Sequence, residues 1–336
     1  MSSLRQRVGA LLYDWPRFLR HVGGDWTLIH NRDESITRDA QGVRCDWEFG
    51  SYLHLASVYP SAARWLLRRA LTDWPITLRE DAPDVSSEPA VSFLIGHRGL
   101  DRVPHLLATL RSIAGQKDVA VECVVVEQSA RAEIESKLPR WVRYVHTPTD
   151  AERSYCRSAT FNAGAATARG PILILHDNDM LVPERYAAEV VSRVRQGWNF
   201  VDPKRFIFYV NEDDTRRFFG GGVLRREFAT TVAQNLRGGS VAATAPAFFA
   251  IGGFDEDFVG WGGEDLEFWE RASAYGGACA FGHLPLIHLW HPPQKGKAQP
   301  DAPSVERYSR VRSIPPAERI RRLLLSRPPS WKGDSM

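Results

Sequence analysis

The chain has 336 residues, of which 43% are hydrophobic and 25% charged, an ordinary composition for a soluble globular protein. This composition excludes a mostly disordered chain, a collagen and a coiled coil. The 43 basic and 40 acidic residues leave a net charge of +3, which is too small a surplus to create a field that attracts nucleic acid. We therefore expect no nucleic-acid partner.

The cysteines and the hydropathy of the chain indicate its compartment. The four cysteines lie far apart with no C-x-x-C pair, at positions 45, 123, 156 and 279, so we expect free thiols in a reducing compartment. No segment offers the roughly 20 apolar residues that a transmembrane helix needs. The N-terminal residues lack the continuous apolar core of a signal peptide. We predict a cytoplasmic location with at most peripheral contact with a membrane.

Three regions differ in composition. Residues 1–88 contain five of the eleven tryptophans and form a small, mostly helical N-terminal region in our prediction, for which acceptor binding and packing are both open roles. The acidic stretch 79–90 is rich in proline and serine, which is typical of a linker. Residues 89–293 are predicted to form the main domain. Residues 294–336 are predicted to form a basic, proline-containing C-terminal tail.

The main domain alternates apolar runs with amphipathic segments. The apolar runs cover residues 91–96, 121–129, 141–147 and 171–179, and the predicted helices cover 104–115 and 153–170. Strands that are apolar on both faces and alternate with helices predict an α/β fold, with a Rossmann-like, mainly parallel sheet and helices on both faces. In such sheets ligands bind beyond the carboxyl ends of the strands. The polar residues that close the runs are His97, Arg98, Glu127, Gln128, Asp177 and Asp179.

The motif HDNDML at 176–181 carries the strongest local signal. Asp177 and Asp179 leave a buried strand together, where two unpaired carboxylates repel one another and are costly to bury. A divalent cation removes both problems, and a nucleotide diphosphate could complete its coordination with hard oxygen ligands. Helix-capping aspartates at a strand end are the alternative interpretation.

A second motif is GGFDEDFVGWGGEDLEFWERASAYGG at 252–277. Glu264 and Asp265 follow two glycines and begin an amphipathic helix, where the helix macrodipole favours the carboxylate form by about 0.3–1 kcal/mol. An ionised carboxylate on a glycine turn that a ligand can approach closely is suited to act as a base or to hold sugar hydroxyls. Simple N-terminal capping explains one acid but not the two glycines, two tryptophans and two acids together.

The third motif is HLWH at 288–291, in which two histidines lie three positions apart after a short apolar strand. Such a pair could supply nitrogen ligands to the metal site that the paired aspartates suggest.

Together the three motifs resemble those of the β-1,4-galactosyltransferases of family 7. HDNDML is similar to their HDVDLL-type metal motif, FVGWGGEDLEF to their WGWGGEDDD motif, and HLWH lies where they have Met-x-x-His ligands. FNAG at 161–164 and FGGGVLRREF at 219–228 resemble two further segments of these enzymes. More widely, residues 91–293 resemble GT-A glycosyltransferases of family 2, including bacterial chondroitin-polymerase-like and polypeptide GalNAc-transferase-like domains.

The resemblance implies a GT-A fold and a role for each matching position. Asp179 and His291 would bind Mn²⁺ or Mg²⁺, and His288 stands where the family has a methionine ligand. Asp265 matches the catalytic base, and Glu264 matches the acid that holds acceptor or donor hydroxyls. The residues implied to contact the nucleotide sugar are His97, Arg98, Glu127, Asp177, Trp261, Gly262 and Gly263.

The implied activity is the metal-dependent transfer of a hexose or N-acetylhexosamine from a UDP-sugar to the hydroxyl of a glycan, lipid-linked or other acceptor. Inversion at the anomeric carbon is expected, because the retaining GalNAc-transferase relatives have Asn at the position of Asp265. A retaining enzyme, a nucleotide-sugar hydrolase and a nucleotidyltransferase are the alternatives, followed by a non-catalytic sugar-binding module. A dinucleotide oxidoreductase is excluded because no G-x-G-x-x-G follows the first strand.

Overall fold

The structure is a computed structural model that describes residues 4–46, 50–81, 88–150, 152–221, 228–260, 262–293 and 303–331. The predictions for Trp261, for most of the 219–228 segment and for the centre of the 79–90 linker lie outside these residues.

The N-terminal region is mostly helical, as predicted. Its elements are α1 (Leu4–Gly9), a π-helical turn (Ala10–Asp14), α2 (Trp15–Val22), strands β1 (Ile36–Asp39), β2 (Gly42–Cys45) and β3 (Ser51–Tyr52), and helices α3 (His54–Val58) and α4 (Pro60–Asp73). Pro60 opens α4 at a position where its missing N–H costs no helical hydrogen bond. The helical part of residues 54–73 is therefore divided into two helices, α3 and α4.

The central sheet has seven strands in the order β13-β9-β12-β7-β4-β5-β6. Its strands are β4 (Val91–His97), β5 (Val121–Ser129), β6 (Arg143–Pro148), β7 (Ile172–His176), β9 (Phe200–Val201), β12 (Ser240–Thr244) and β13 (Ala278–Cys279). The pairs formed by β4 with β5 and β7, by β5 with β6 and by β9 with β13 are parallel, whereas β12 runs antiparallel to its neighbours. The predicted α/β class with a mainly parallel sheet is confirmed.

Helices cover the sheet and connect its strands. They are α5 (Val103–Ala114), α6 (Arg157–Thr167), α7 (Tyr186–Arg195), α8 (Glu212–Phe219), α9 (Ala245–Ala250) and α10 (Glu264–Tyr275). One buried cluster includes Leu106 and Leu110 of α5, and another includes Phe161 of α6 and Phe268 of α10. The central sheet has two separate apolar clusters because the strands of a parallel sheet are apolar on both faces.

A second sheet joins the N-terminal region to the main domain. It has the order β3-β11-β10-β14-β8, where β8 is Met180–Leu181, β10 is Lys204–Val210, β11 is Ala229–Gln234 and β14 is Leu284–His288. Leu66 and Leu67 of α4 share one buried cluster with Phe206, Phe208 and other residues of this sheet. Residues 4–81 thus contribute both a strand and a packed helical layer to the fold.

The C-terminal region carries two helices that pack on α10. These are α11 (Pro303–Val311) and α12 (Pro316–Ser326). Arg319 of α12 is buried and pairs with Glu267 and Glu270 of α10, with distances of 3.3 and 2.7 Å. Trp331 follows α12 and packs against the rings of Phe248 and Phe249. Residues 303–331, which belong to the segment predicted as a C-terminal tail, therefore pack on the main domain as a helical layer.

Candidate metal and carboxylate site

The site lies where several elements end on one side of the central sheet. β4 ends at His97, β7 ends at His176 just before the paired aspartates, and β14 ends at His288. The antiparallel pairing of β8 with β14 sets His288 opposite Met180, and the Leu289 N–H donates to the Asp179 carbonyl oxygen over 2.9 Å. This pairing brings the HDNDML and HLWH motifs together across about a hundred residues of sequence.

Asp179, His288 and His291 form a cluster of metal-binding type. One ligand atom from each residue lies within 4.8 Å of the other two. The Asp179 Oδ2 atom is 3.3 Å from His291 Nε2 and 3.9 Å from His288 Nε2. The buried Asp179 Oδ1 atom has no hydrogen-bond partner in the described part of the chain, which is expensive for a carboxylate unless a further cation is bound. A carboxylate and two imidazoles therefore fit a borderline divalent cation such as Mn²⁺.

Cationic neighbours control the ionisation of Asp179. Arg102 donates from Nη2 to Oδ2 over 2.5 Å. Burial raises the pKa of Asp179, but His288, Arg102 and His291 together outweigh it, so the net shift of the pKa is downward. The carboxylate form that a metal ligand requires is thus favoured by the residues around it.

Asp177 has a different partner, the guanidinium of Arg157 at the start of α6. The Arg157 Nε and Nη2 atoms each lie 2.7 Å from Asp177 Oδ1, and Nη1 lies 2.6 Å from Asp265 Oδ1. Burial raises the pKa of Asp177 to about 6, with Asp179 and Asp265 adding to the rise and Arg157 opposing it. The repulsion between the two carboxylates, from which we predicted a cation, is therefore reduced by two arginines, Arg157 beside Asp177 and Arg102 beside Asp179.

Arg157 is a residue that the sequence analysis did not select. It packs over the ring of Phe161 at 4.6 Å and connects the aspartate motif with Glu264 and Asp265 on α10. The predicted helix 153–170 starts four residues too early, whereas α6 begins at Arg157, where a largely buried cation opposes the helix macrodipole. Such a placement is stable only if carboxylates surround the guanidinium.

Glu264 and Asp265 occupy the first turn of α10 in unequal environments. Glu264 is buried, accepts a hydrogen bond from the Gly262 N–H over 3.1 Å, and lies 3.5 Å from Arg157. Burial, reinforced by the charge of Asp265, raises its pKa to about 7 against the opposing effect of Arg157. At Glu264 desolvation therefore outweighs the helix macrodipole, which by itself favours the carboxylate form.

The glycines of the motif are required by backbone shape and packing. Gly262 and Gly263 have φ values of 104° and 90°, which side-chain-bearing residues rarely adopt. A Cβ atom on Gly263 would lie 2.7 Å from the Cβ atom of Tyr308 on α11. Outside the motif, a Cβ atom on Gly238 would lie 2.3 Å from Asp265 Oδ2. The loop before β12 therefore lies directly against the carboxylate of Asp265. Nucleotide-sugar binding by Gly262 and Gly263 stays a prediction.

The residues predicted at the first two strand ends are already engaged within the chain. His97 is fully buried, its Nδ1 accepts from Asn178 Nδ2 over 2.9 Å, and its Nε2 donates to the Gly99 carbonyl oxygen over 2.8 Å. Burial lowers the pKa of His97 to about 4, which keeps the ring neutral. The contact that the structure provides is therefore to Asn178, between the paired aspartates, and a contact with a nucleotide stays a prediction.

Glu127 and Arg98 are similarly occupied. The buried Glu127 carboxylate accepts hydrogen bonds from the Tyr144 hydroxyl over 2.5 Å and from the backbone N–H of Glu133 over 3.1 Å. Arg98 donates from Nη1 to the Arg153 carbonyl oxygen over 2.5 Å. The prediction that Glu127 contacts the nucleotide sugar is not tested by these contacts, which give the carboxylate a structural function.

Known proteins resemble parts of the chain. Residues 229–291 match a family model described as the N-terminal domain of galactosyltransferase. The chain is 43% identical over 59 residues to probable N-acetylgalactosaminyltransferase 9 of Caenorhabditis elegans, a match that covers 18% of this chain and 10% of that protein. It is 54% identical over 37 residues to validoxylamine A glucosyltransferase of Streptomyces hygroscopicus subsp. jinggangensis (strain 5008), covering 11% of this chain and 9% of that protein. The chain thus spans about a tenth of the length of these relatives.

Among solved structures, that of GalNAc-T7 with UDP, GalNAc and Mn²⁺ aligns with a TM-score of 0.47 and 16% sequence identity. The alignment covers 68% of this chain and 48% of that one.

The segment matched by the galactosyltransferase model contains Asp265, His288 and His291. The family model and the names of the curated relatives support the prediction of a glycosyltransferase. The finer assignments to family 2 and to a bacterial type stay predictions. Across the described residues, no helix is both long enough and apolar enough to span a bilayer.

Proposed function

We propose that the protein is an inverting, metal-dependent glycosyltransferase that moves a hexose or N-acetylhexosamine from a UDP-sugar to an acceptor hydroxyl. The observation that carries this proposal is the Arg157 bridge, which fixes the carboxylate of Asp265 beside the paired-aspartate motif, with a metal-type cluster at Asp179. A base beside a diphosphate-binding site is the arrangement that a direct displacement at a sugar carbon requires.

The metal would be held by Asp179, His288 and His291. When bound, Mn²⁺ or Mg²⁺ supplies Lewis acidity that stabilises the negative charge developing on the nucleotide diphosphate. In this assignment His288 is a ligand in place of the family's methionine, because its Nε2 atom belongs to the same cluster as the other two ligand atoms.

Asp265 acts as the general base in the proposed reaction. Its carboxylate takes the proton of the acceptor hydroxyl while that oxygen forms a bond to the anomeric carbon, and the bond from this carbon to the phosphate oxygen breaks on the opposite face. The electron pair of the broken bond leaves with the diphosphate. Arg157 holds Oδ1 of Asp265 in place, and Asp177 acts by holding Arg157.

Glu264 is proposed to hold a sugar hydroxyl. With a pKa of about 7, it donates a hydrogen bond when protonated and accepts one when ionised, so it adapts to a hydroxyl in either orientation. The four cysteines are buried free thiols, which supports the reducing, cytoplasmic location that forms part of this proposal.

A retaining enzyme is the second candidate, because one relative is named as an N-acetylgalactosaminyltransferase. The deciding experiment incubates the protein with Mn²⁺, an acceptor panel and UDP-galactose, UDP-GalNAc or UDP-GlcNAc. Release of UDP identifies the donor, and the proton NMR coupling at C1 of the product gives its configuration. We expect the opposite configuration to that of the donor, and Asp265→Asn should lower turnover by about 10²–10⁴-fold. A retained configuration or an unchanged rate would remove Asp265 from the role of base.

A further inference from the structure

The N-terminal helical segment, Leu4–Val22, exposes an unusual share of the large apolar side chains of this protein. Eleven such side chains are exposed in the described part of the chain, and six of them belong to this segment: Leu4, Val8, Leu11, Leu12, Tyr13 and Leu19. Leu4 is 78% exposed and Leu12 is 61% exposed. Scattered exposed leucines need no explanation, but a concentration of them within 19 residues of helix marks an interaction surface.

The apolar side chains form a stripe along one continuous helical rod. α1, the π-helical turn and α2 follow one another without a break from Leu4 to Val22. Leu4, Val8 and Leu11 recur at spacings of four and three residues, which places them on one side of the helix. The rod is attached to the domain through a different set of residues, Ala10, Phe18 and Val22, which are buried. α1 itself buries none of its residues.

Arg17 of the segment is half-buried, and the exposed charged side chains of the segment, Arg5, Arg7 and Arg20, are all basic. Asp14 is its one acidic residue, and its side chain is only 10% exposed and lies 3.6 Å from Arg32. A surface of leucines flanked by arginines complements an interface that is apolar inside and negatively charged outside.

Trp65 of α4 adds an exposed aromatic side chain next to α2. It is exposed, and its ring lies 5.8 Å from the ring of Phe18 on α2. Tryptophan and tyrosine are the aromatic residues enriched where a membrane meets water. Trp65 and the exposed Tyr13 therefore add the interfacial aromatic component to the leucines and arginines.

We propose that the N-terminal helical segment docks flat on an anionic lipid bilayer. The leucine stripe enters the boundary between headgroups and acyl chains, and the arginines lie among anionic headgroups, as in other interfacial amphipathic helices. This inference is independent of the proposed glycosyl transfer, since it rests on residues that are far in sequence from the metal and carboxylate site.

The test is co-sedimentation of the full chain with vesicles, which requires no activity. We expect binding to vesicles of phosphatidylcholine with about 30% phosphatidylserine, weaker binding to pure phosphatidylcholine, and a loss of binding as salt screens the arginines. The triple variant Leu4→Ser, Leu11→Ser, Leu12→Ser should bind at least tenfold more weakly. Leu325→Ser is the matched control, because Leu325 is 73% exposed but lies on α12, and it should bind as the unchanged chain does.

Thermal unfolding and Mn²⁺ affinity, measured on each variant, separate lost binding from lost folding. Equal vesicle binding by the triple variant and the unchanged chain would overturn the proposal. The proposal would also be overturned if the unchanged chain did not bind anionic vesicles but formed a dimer, and the triple variant stayed monomeric. The apolar stripe would then be covered by a second copy of the chain.

Discussion

The guanidinium of Arg157 lies 2.6 Å from the carboxylate of Asp265, although the two residues are 108 positions apart in the chain. The same guanidinium lies 2.7 Å from Asp177 through two of its nitrogen atoms. One planar cation thus sets the relative position of the aspartate motif and of α10. Arginine is suited to this bridge because its five N–H donors lie in a fixed fork that can serve two carboxylates at once.

Replacing Arg157 should therefore damage both stability and turnover. Arg157→Gln leaves Asp177, Glu264 and Asp265 without their shared cation, and we expect the free energy of unfolding to fall by about 3–5 kcal/mol. Arg157→Lys should lose less stability, but turnover should fall about 100-fold, since a point charge does not orient two carboxylates. Urea unfolding and the rate of UDP release measure the two effects. Arg195→Gln, an exposed control on α7, should change stability by under about 0.5 kcal/mol.

Much of this arrangement could be predicted from the sequence. Apolar runs predict strands β4 to β7, because strands covered on both faces must be apolar throughout. The resemblance to the galactosyltransferase motifs implies Asp179, His288 and His291 as metal ligands, and the fold brings these three side chains together. Arg157 was missed because hydrophobic periodicity says nothing about a buried cation. The pairing of Asp177 with an arginine rather than a metal likewise depends on tertiary contacts between α6 and β7.

The C-terminal region shows a second limit of sequence patterns. Its many arginines suggest a solvated tail, yet Arg319 is buried between two glutamates of α10, and Arg327 donates to the backbone carbonyl oxygen of Gly252 over 2.9 Å. Burial of an arginine is affordable only where carboxylates or carbonyl groups satisfy its donors. Local sequence does not reveal those distant partners.

The pH dependence of the free energy of unfolding should reveal the raised pKa of Glu264. Its pKa is about 7 in the folded protein, against 4.5 as the ordinary value. The folded state therefore binds more protons than the unfolded state between these values, so Glu264 lowers the stability progressively as pH rises from about 4.5 to 7. Glu264→Gln removes this ionisation while keeping an oxygen that accepts from the Gly262 N–H.

We expect Glu264→Gln to unfold like the unchanged chain at pH 5 and to be more stable by about 1–3 kcal/mol at pH 8. Urea denaturation at the two pH values measures the difference. Glu306→Gln, on the exposed side of α11, serves as the control and should show no such gain. Equal stability of Glu264→Gln and the unchanged chain at pH 8 would contradict a raised pKa.

Trp331 tests whether residues 303–331 are part of the folded domain. Its ring packs 5.3 Å from that of Phe249, and its Nε1 donates to the Phe249 carbonyl oxygen over 3.3 Å. Trp331→Ala should lower the free energy of unfolding by about 3–5 kcal/mol, the usual cost of truncating a buried tryptophan. Arg310→Ala on the exposed face of α11 should be nearly neutral. A neutral Trp331→Ala would mean that this segment does not stabilise the domain.

The metal cluster can be tested without any donor or acceptor. Calorimetric titration with Mn²⁺ should give one site, and Asp179→Asn should abolish it, because the negative charge and the partnerless Oδ1 atom are both altered. His288→Ala and His291→Ala should each weaken binding at least tenfold, since each removes one of three protein ligands. His146→Ala, a histidine on β6 that contacts Ser129, should bind Mn²⁺ normally.

The loss of activity should parallel the loss of Mn²⁺ binding. EDTA should abolish UDP release, and Mn²⁺ should restore it better than Ca²⁺ does, because imidazole ligands favour a borderline cation over a hard one. If His291→Ala lost Mn²⁺ binding and His288→Ala did not, His288 would not be a metal ligand. Its role would then be packing against Tyr209, whose ring lies 4.6 Å away. Full activity in EDTA would exclude the metal from the reaction and leave Asp179 as an anchor for Arg102.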